Sequence, residues 1–202
     1  MNDGLFADRL FNALDRQDPA AGMLLVAAPG MLAPEFARSV VFLIEYGPDG
    51  ALGVDLTARS ETPLHNVMPE WESIATAPKV LYVGGPVSRT LPLCLGVSKM
   101  GADIAANEWL EPLGNRFVIV NLNGTAAEVA DDLQGSRVFA GYAGWDPGQL
   151  NDEIERGDWY VTPALPSDIL APGRVDLWGA VMRRQEMPLP LYASFPVSVR
   201  SN

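Results

Sequence analysis

The polar residues best suited to chemistry stand together in one short, otherwise apolar block. Arg38, Ser39 and Glu45 flank the run Val40-Val-Phe-Leu-Ile44. A serine becomes a nucleophile only with a base beside it, and the single histidine, His65, lies in a separate region with no GxSxG elbow around Ser39. The pattern therefore favours an ion pair between Arg38 and a carboxylate such as Glu45 over a serine hydrolase.

One cysteine and one histidine restrict the metal and cofactor sites that the chain can build. Cys94 has no partner for an internal disulfide or a cysteine-rich metal site. His65 alone excludes zinc sites that need two histidines. Cys94 stands between two leucines, which favours a buried, inert thiol over a reactive one. We therefore expect no metal and no cofactor.

Two glycine-rich stretches are the remaining candidates for a ligand site. Gly84-Gly85-Pro86 follows an apolar run, which predicts either a close backbone approach to a ligand or, preferentially, a tight turn with positive φ. The stretch lacks the GxGxxG and GxxxxGK[ST] spacings, so it gives no support to nucleotide binding.

The second stretch reads GYAGWDPGQL, from Gly141 to Leu150. Asp146 is an N-cap type, Pro147 suits the first helical position, and Gln149 can close a capping box, so a strand-to-helix turn is predicted. Gly141 and Gly144 would allow the sharp bend, with Tyr142 and Trp145 buried beside the helix. The alternative is an anion site at the helix start, which the Asp146 carboxylate disfavours. The candidate ligand-binding residues are Arg38, Ser39, Glu45, Gly84, Gly85, Gly144, Trp145 and Gln149.

The charge balance argues against a nucleic-acid partner. The 202 residues carry 25 acids and 14 bases, a net charge of -11. Residues 101–160 hold 11 acids and 3 bases, so most of the excess lies there. Phosphate neutralisation drives nucleic-acid binding, which an acidic surface opposes. Four arginines near the C-terminus are interpreted as a solvated helix face: Arg174, Arg183, Arg184 and Arg200.

Length and hydropathy indicate one soluble domain over residues 1–202. No apolar run reaches the 18 residues of a membrane span. The opening MNDGLFADRL carries acids and lacks a basic signal-peptide start, so a cytoplasmic location is expected. A helix over 3–15 and a proline-rich, extended tail over 186–202 are interpreted as extensions of that domain.

Short apolar runs predict more strands than helices. Strands are expected at 23–27, 40–44, 51–54, 80–83, 93–97, 117–120, 137–141 and 159–161. Gly47 to Gly50 predicts a hairpin turn, and residues 57–78 an irregular loop with a helical turn near Trp71. Helices are expected from the Thr125 capping box to Gly135, over 149–156 with Gly157 as its C-cap, and over 174–184. Because strands and helices do not alternate, an α+β class is favoured.

Four blocks in this order resemble the bacterial YqgE/AlgH family. They are Gly22–Pro29 continued by Phe36–Val41 and Glu45, then Gly50–Gly53, then Gly84–Val87, then the GYAGWDPGQL stretch continued by Glu153, Ile154 and Trp159. The resemblance implies an α+β fold with a bifurcated, mostly antiparallel sheet curled into a pseudo-barrel and surrounded by helices. It implies no catalytic activity, although some members are labelled transcriptional regulators.

This chain departs from the family pattern at three positions. Tyr46 stands where members commonly have His, Thr57-Ala-Arg59 replaces an Asn-Arg-Pro run, and the region of Cys94 lacks a His. Chemistry that depends on those histidines is not expected here. We predict a non-enzymatic protein that binds a protein or small molecule and acts in regulation. The alternative is an enzyme with a carboxylate/arginine cleft near Arg38, Gly84, Gly85 and the 141–149 turn.

Overall fold

The computed structural model of the protein describes residues 17–194. The predicted helix over 3–15 and the last residues of the predicted tail lie outside the described residues. The strands are β1 Met23–Ala27, β2 Val40–Gly47, β3 Gly50–Asp55, β4 Arg59–Pro63, β5 Val80–Val83, β6 Val87–Ser98, β7 Leu110–Gly114, β8 Phe117–Val120, β9 Leu133–Trp145 and β10 Trp159–Pro163. The α-helices are α1 Ala126–Val129, α2 Gln149–Arg156, α3 Pro166–Ile169, α4 Leu177–Arg183 and α5 Leu189–Tyr192. Short 3-10 helices cover Pro34–Phe36, Leu64–Asn66, Pro69–Ile74 and Ile104–Ala106.

All ten described strands belong to one curled sheet that branches at β9. The main path runs β10-β1-β2-β3-β9-β6-β8-β7, and β5 with β4 forms a branch from β9. Among these named strands the pairings are antiparallel except for β5 with β9. The prediction of an α+β fold with a mostly antiparallel, curled sheet is confirmed.

The central strands are buried on both faces, which explains their continuous apolar sequences. In β1, Leu24 and Val26 enter one hydrophobic cluster, whereas Leu25 and Ala27 enter another. This alternation follows from the two-residue period of a strand. Helices α4 and α5 contribute to the first cluster and α2 to the second, so helices pack against opposite faces of the sheet.

Several predicted elements have different bounds in the structure. The helix expected from Thr125 to Gly135 ends at Val129, because β9 already begins at Leu133. The predicted capping box is present, and in it the Glu128 carboxylate accepts from the Thr125 N–H at 2.7 Å. The loop expected at 57–78 contains β4, and β7 was not predicted at all. Both strands contain a proline and charged residues, so neither shows the apolar run or the alternation that predicts a strand.

The C-terminal elements differ most from expectation. The helix expected over 174–184 is Leu177–Arg183, and Val175 is 45% exposed rather than part of the core. The tail predicted as extended forms α5, in which Leu189 and Tyr192 are buried. Residues three apart lie on one helical face, so both can contact the main core while Pro190 takes an early helical position that tolerates it.

Candidate functional site

Gly84 and Gly85 bring two of the glycine-rich blocks into direct backbone contact. A Cβ on Gly84 would overlap the carbonyl oxygen of Gly141, and one on Gly85 would overlap the carbonyl carbon of Tyr142. Neither glycine is among the residues with positive φ. The predicted tight turn with positive φ is therefore wrong, because these glycines serve close approach to strand β9 instead.

The GYAGWDPGQL stretch is a strand for half of its length. Strand β9 continues through Trp145, with Gly141 at φ 72°, and helix α2 begins only at Gln149. The N-cap is Gly148, at φ 80°, so the assignment of Asp146 as the cap is wrong. The predicted role of Gln149 is partly right, because its Oε1 accepts from the Asp146 N–H at 3.0 Å.

Trp145 is held in an aromatic cluster by one carboxylate. Oε2 of Glu153 accepts from Nε1 of Trp145 at 2.8 Å and from Nε1 of Trp159 at 2.9 Å. Its Oε1 accepts from Nε2 of Gln149 at 2.9 Å. The two indoles pack edge to face with centroids 6.1 Å apart, and Phe36 packs against Trp159 in the same way. Glu153 therefore joins α2 to the ends of β9 and β10.

We expect Glu153→Ala to lower the free energy of unfolding by about 2–4 kcal/mol, because two buried indole N–H groups lose a charged acceptor. Denaturant unfolding followed by tryptophan fluorescence measures the change. Glu155→Ala is the matched control, since Glu155 lies on the exposed side of the same helix and should stay within about 0.5 kcal/mol of the parent. Equal effects of the two changes would contradict the role given to Glu153.

Two clefts share Gly144 and Trp145 as a wall. The hairpin cleft, of about 540 Å³, lies beside the β2–β3 turn and includes Glu45 and Tyr142. The aromatic cleft, of about 370 Å³, includes Phe36 and Gln149. The structure thus brings Glu45 near Gly144 and Trp145, and it brings Gln149 to the other side of that wall. Arg38, Ser39, Gly84 and Gly85 line neither cleft.

Arg38 belongs to a third cleft, formed where β3 and β4 meet the segment before α4. We call it the arginine cleft; its volume is about 310 Å³. Its lining residues are Arg38, Leu56, Thr57, Arg59, Tyr82, Ala171, Pro172, Gly173, Val175, Asp176, Leu177 and Trp178. Arg38 donates to Asp176 at 2.8 Å, and its guanidinium lies 4.1 Å from the Trp178 ring centroid. The predicted pair with Glu45 is wrong, although Arg38 does pair with a carboxylate.

The backbone of Arg38 is held in an unusual conformation. Its φ is 60°, in the left-handed region that few residues other than glycine adopt. Such residues persist only where the surroundings fix them, and they concentrate at functional sites. The ion pair with Asp176 and the stacking on Trp178 provide that fixation. Asp176 in turn accepts from the Gly179 N–H at 3.0 Å and so caps α4.

Two further arginines belong to the same region, and sequence patterns did not select either as a site residue. Arg59 is exposed and donates through Nη1 to the Gly173 carbonyl at 2.9 Å. Arg137 is 3% exposed, donates to the carbonyls of Ile169 and Ala171, and lies 4.5 Å from the Tyr82 ring centroid. Burial, assisted by the charge of Arg59, lowers the pKa of Arg137 to about 10, so it stays protonated at neutral pH.

Arg137 had one signal in the sequence that could have identified it. It begins the predicted strand over 137–141, whose other residues are uncharged and mostly apolar. A buried charge is expensive unless it is paired or hydrogen-bonded, so an arginine there indicates a specific environment. Arg59 appeared only as a departure from the family pattern, and nothing local marks it as part of a cleft.

Ser39 lies behind the arginine cleft in a buried polar cluster. Its hydroxyl donates to Oδ2 of Asp55 at 2.6 Å, while the hydroxyl and N–H of Thr57 donate to Oδ1 at 2.6 and 2.8 Å. Burial raises the pKa of Asp55 above its ordinary value, although these hydrogen bonds oppose the shift. His65 lies apart from this cluster, 3.5 Å from Glu72. Ser39 thus has a buried carboxylate as its partner and no histidine base.

Three further features were considered in the sequence: a reactive cysteine, a metal site and a membrane span. Cys94 is buried, and burial raises the pKa of its thiol to about 12, so it is inert at neutral pH. Across residues 17–194, no group of three His, Cys, Asp or Glu side chains is arranged to hold a metal ion. Among the helices of that part of the chain, none is long and apolar enough to cross a membrane.

The fold and the four sequence blocks together define an α+β protein with a branched, curled sheet. Comparison with known protein families and structures gives the same class. The AlgH-like family model matches residues 24–190, so the chain belongs to the AlgH-like family. The resemblance to YqgE/AlgH proteins drawn from the four blocks is thereby confirmed.

Among individual proteins, the chain is 56% identical to UPF0301 protein CE2927 of Corynebacterium efficiens over 98% of both chains. The crystal structure of protein DIP2367 from Corynebacterium diphtheriae superimposes with a TM-score of 0.91 and 53% identity, covering 94% of this chain and 100% of that one. The solution structure of AlgH from Pseudomonas aeruginosa gives a TM-score of 0.63 at 25% identity, covering 90% and 97%. The relatives belong to an uncharacterised family, so these comparisons establish family and fold.

Proposed function

We propose that the protein is a non-enzymatic binding protein of the cytoplasm that holds a small anion in the arginine cleft. The observation that carries the proposal is a group of three arginines at one cleft in a chain of net charge -11. Arg38 and Arg59 line the cleft, and Arg137 lies behind the ring of Tyr82, which is part of the lining. Against that acidic background, a local concentration of guanidinium groups favours an anionic ligand. Occupancy of the cleft would then act in regulation, by altering the surface offered to a partner.

The bonding of the arginines supports this proposal. Arg59 and Arg137 use backbone carbonyls as acceptors, and within residues 17–194 neither forms a salt bridge. A guanidinium has five N–H donors in a planar fork that suits carboxylate and phosphate groups. Carbonyl acceptors orient these side chains without neutralising them. A ligand in the cleft can therefore contact Arg59 directly, whereas the buried charge of Arg137 acts on it from behind Tyr82.

A second candidate function is the carboxylate/arginine enzyme, and the raised pKa of Asp55 favours it. Asp55 is 3% exposed and lies behind Ser39 and Thr57, so it would have to act on a substrate through the Ser39 hydroxyl. The motif blocks also divide among three clefts instead of enclosing one. Turnover of a bound anion that is abolished by Asp55→Asn would establish this candidate in place of simple binding.

Binding is tested by titrating the protein at low ionic strength with phosphate, sulfate and citrate, using calorimetry. We expect at least one anion to bind, and we expect Arg59→Ala to weaken it about tenfold, which corresponds to about 1.4 kcal/mol. Arg89→Ala is the matched control, since Arg89 is an exposed arginine outside the three clefts. The proposal fails if no anion binds, or if both changes weaken binding equally.

A further inference from the structure

We propose that the ligand of the arginine cleft is a small phosphate monoester bound as its dianion; this inference rests on the proposed function. It specifies the charge, compactness and size of the ligand. Each of these follows from a separate feature of the cleft.

The charge of the ligand follows from which groups are already neutralised. Arg38 and Asp176 form an ion pair and cancel each other. Arg59 in the lining and Arg137 behind Tyr82 are hydrogen-bonded to neutral carbonyls only, which leaves two positive charges at this end of the cleft. Asp55 is buried behind Thr57, and burial raises its pKa, which disfavours a negative charge there. A ligand with two negative charges balances the cleft, whereas a monoanion leaves one positive charge without a partner.

The compactness of the ligand follows from the register of the sheet. Arg59 lies directly opposite Tyr82 in the β4–β5 pair, and Arg137 stacks on the ring of Tyr82. Directly opposed residues project from the same face of a sheet, so Arg59 and the buried Arg137 both lie next to Tyr82. Of the two, only Arg59 lines the cleft, so a ligand must bring its negative charge to this one position. A single phosphoryl group concentrates two charges on one centre, whereas a dicarboxylate spreads them over a longer molecule. The arrangement therefore favours phosphoryl.

The size of the ligand follows from the dimensions of the cleft. About 310 Å³ is at the lower limit of small-molecule sites, and it accommodates one phosphoryl group with a small organic substituent. A polyanion would extend beyond the cleft over a chain of net charge -11. Long-range repulsion then opposes nucleic acids and favours a small, singly phosphorylated molecule.

Methyl phosphate and methyl sulfate form a matched pair of probes for this inference. Methyl sulfate is a monoanion at both pH 5.0 and pH 7.5, whereas a phosphate monoester loses its second proton at about pH 6. At pH 7.5 we expect methyl phosphate to bind at least tenfold more tightly than methyl sulfate. At pH 5.0 we expect the affinities for the two probes to differ less than threefold, because both probes then carry one negative charge.

Titration of protein groups near the ligand changes the affinity for both probes. The ratio of the two dissociation constants therefore reports the charge of the phosphate. The charged or titratable groups in and behind the cleft are Arg38, Arg59, Arg137, Asp176, Asp55 and Tyr82. Arg59→Ala should remove the preference for phosphate, and circular dichroism verifies that the variant is folded. Arg59→Lys keeps one charge and should retain part of the preference, while Arg89→Ala should retain all of it.

The outcomes separate this inference from the proposed function. If the two probes bind equally at pH 7.5, or if succinate binds more tightly than methyl phosphate, the phosphate inference is overturned while anion binding stands. If a twelve-residue phosphoserine peptide binds more tightly than methyl phosphate, a phosphorylated protein replaces the small ligand. If none of the probes binds, both the inference and the proposed function are overturned.

Discussion

Replacing Trp145 with alanine is expected to lower the free energy of unfolding by about 3–5 kcal/mol, the usual cost of removing a buried large aromatic side chain. Trp145 is 7% exposed and belongs to the cluster that contains Leu25, Val41 and Ile154. Its loss would open a void between β9 and α2. It would also remove one indole donor from the Glu153 carboxylate.

Chemical denaturation measures this change, with Trp145→Phe as the comparison. Phenylalanine keeps most of the apolar volume but cannot donate to Glu153, so a smaller loss of about 2 kcal/mol is expected. Trp145 also lines the hairpin and aromatic clefts, which leaves a ligand-contact role open to it. If Trp145→Ala left the denaturation midpoint unchanged, the ring would not stabilise the fold, and a role in ligand contact would be favoured instead.

Gly85→Ala is the second change with a large expected effect, a destabilisation of about 3 kcal/mol or more. Overpacking typically costs about 1–3 kcal/mol when side chains can adjust. At Gly85 the obstructing atoms are the carbonyl of Tyr142 and the amide nitrogen of Ala143, which belong to the backbone. The segment between β5 and β6 would have to move away from β9 to admit one methyl group, so the cost reaches or exceeds the upper end of that range.

Gly47→Ala provides the matched control for Gly85. An added Cβ at Gly47 has no heavy atom within 4 Å, and its φ does not require glycine. We expect this variant to remain within about 0.5 kcal/mol of the parent. Thermal unfolding of both variants against the parent protein gives the comparison. Similar midpoints for the two variants would show that β5 and β9 are not packed as closely as the structure indicates.

The elements that could be predicted from sequence are those specified by local patterns. Strands β1, β2, β5 and β8 are continuous apolar runs, and each was predicted close to its observed position. The hairpin turn at Pro48 and Asp49 was predicted for the same reason, since turn residues act over short distances. The left-handed C-cap at Gly157 also follows from local chemistry alone.

The elements that escaped prediction depend on contacts between distant residues. Strand β9 passes through Gly141 and Gly144, which usually interrupt strands, because β3 and β6 pair with it on either side. The first half of β6 contains Arg89 and Pro92, so its strand character arises from pairing with β9. Tertiary context determines strand formation more strongly than intrinsic propensity does.

The same distinction applies to the candidate site. Arg38 and Ser39 were selected from their local sequence, but their partners Asp176 and Asp55 are 138 and 16 residues away. Arg59 and Arg137 come from strands that a sequence reading could not place beside one another. The predicted set of eight residues therefore divides among three clefts, a packing contact and the buried cluster of Ser39, and the arginine cleft is formed only in the assembled sheet.

The position of β9 at the branch of the sheet has a consequence for how the chain folds as it is synthesised. Strands β3, β5 and β6 all pair with β9, yet they precede it in the sequence by tens of residues. Until Trp145 has left the ribosome, each of these three strands has an edge without its final partner. Non-local pairing of this kind slows folding and exposes strand edges that promote aggregation. Residues 50–98 thus keep unpaired strand edges in the nascent chain until β9 has been synthesised.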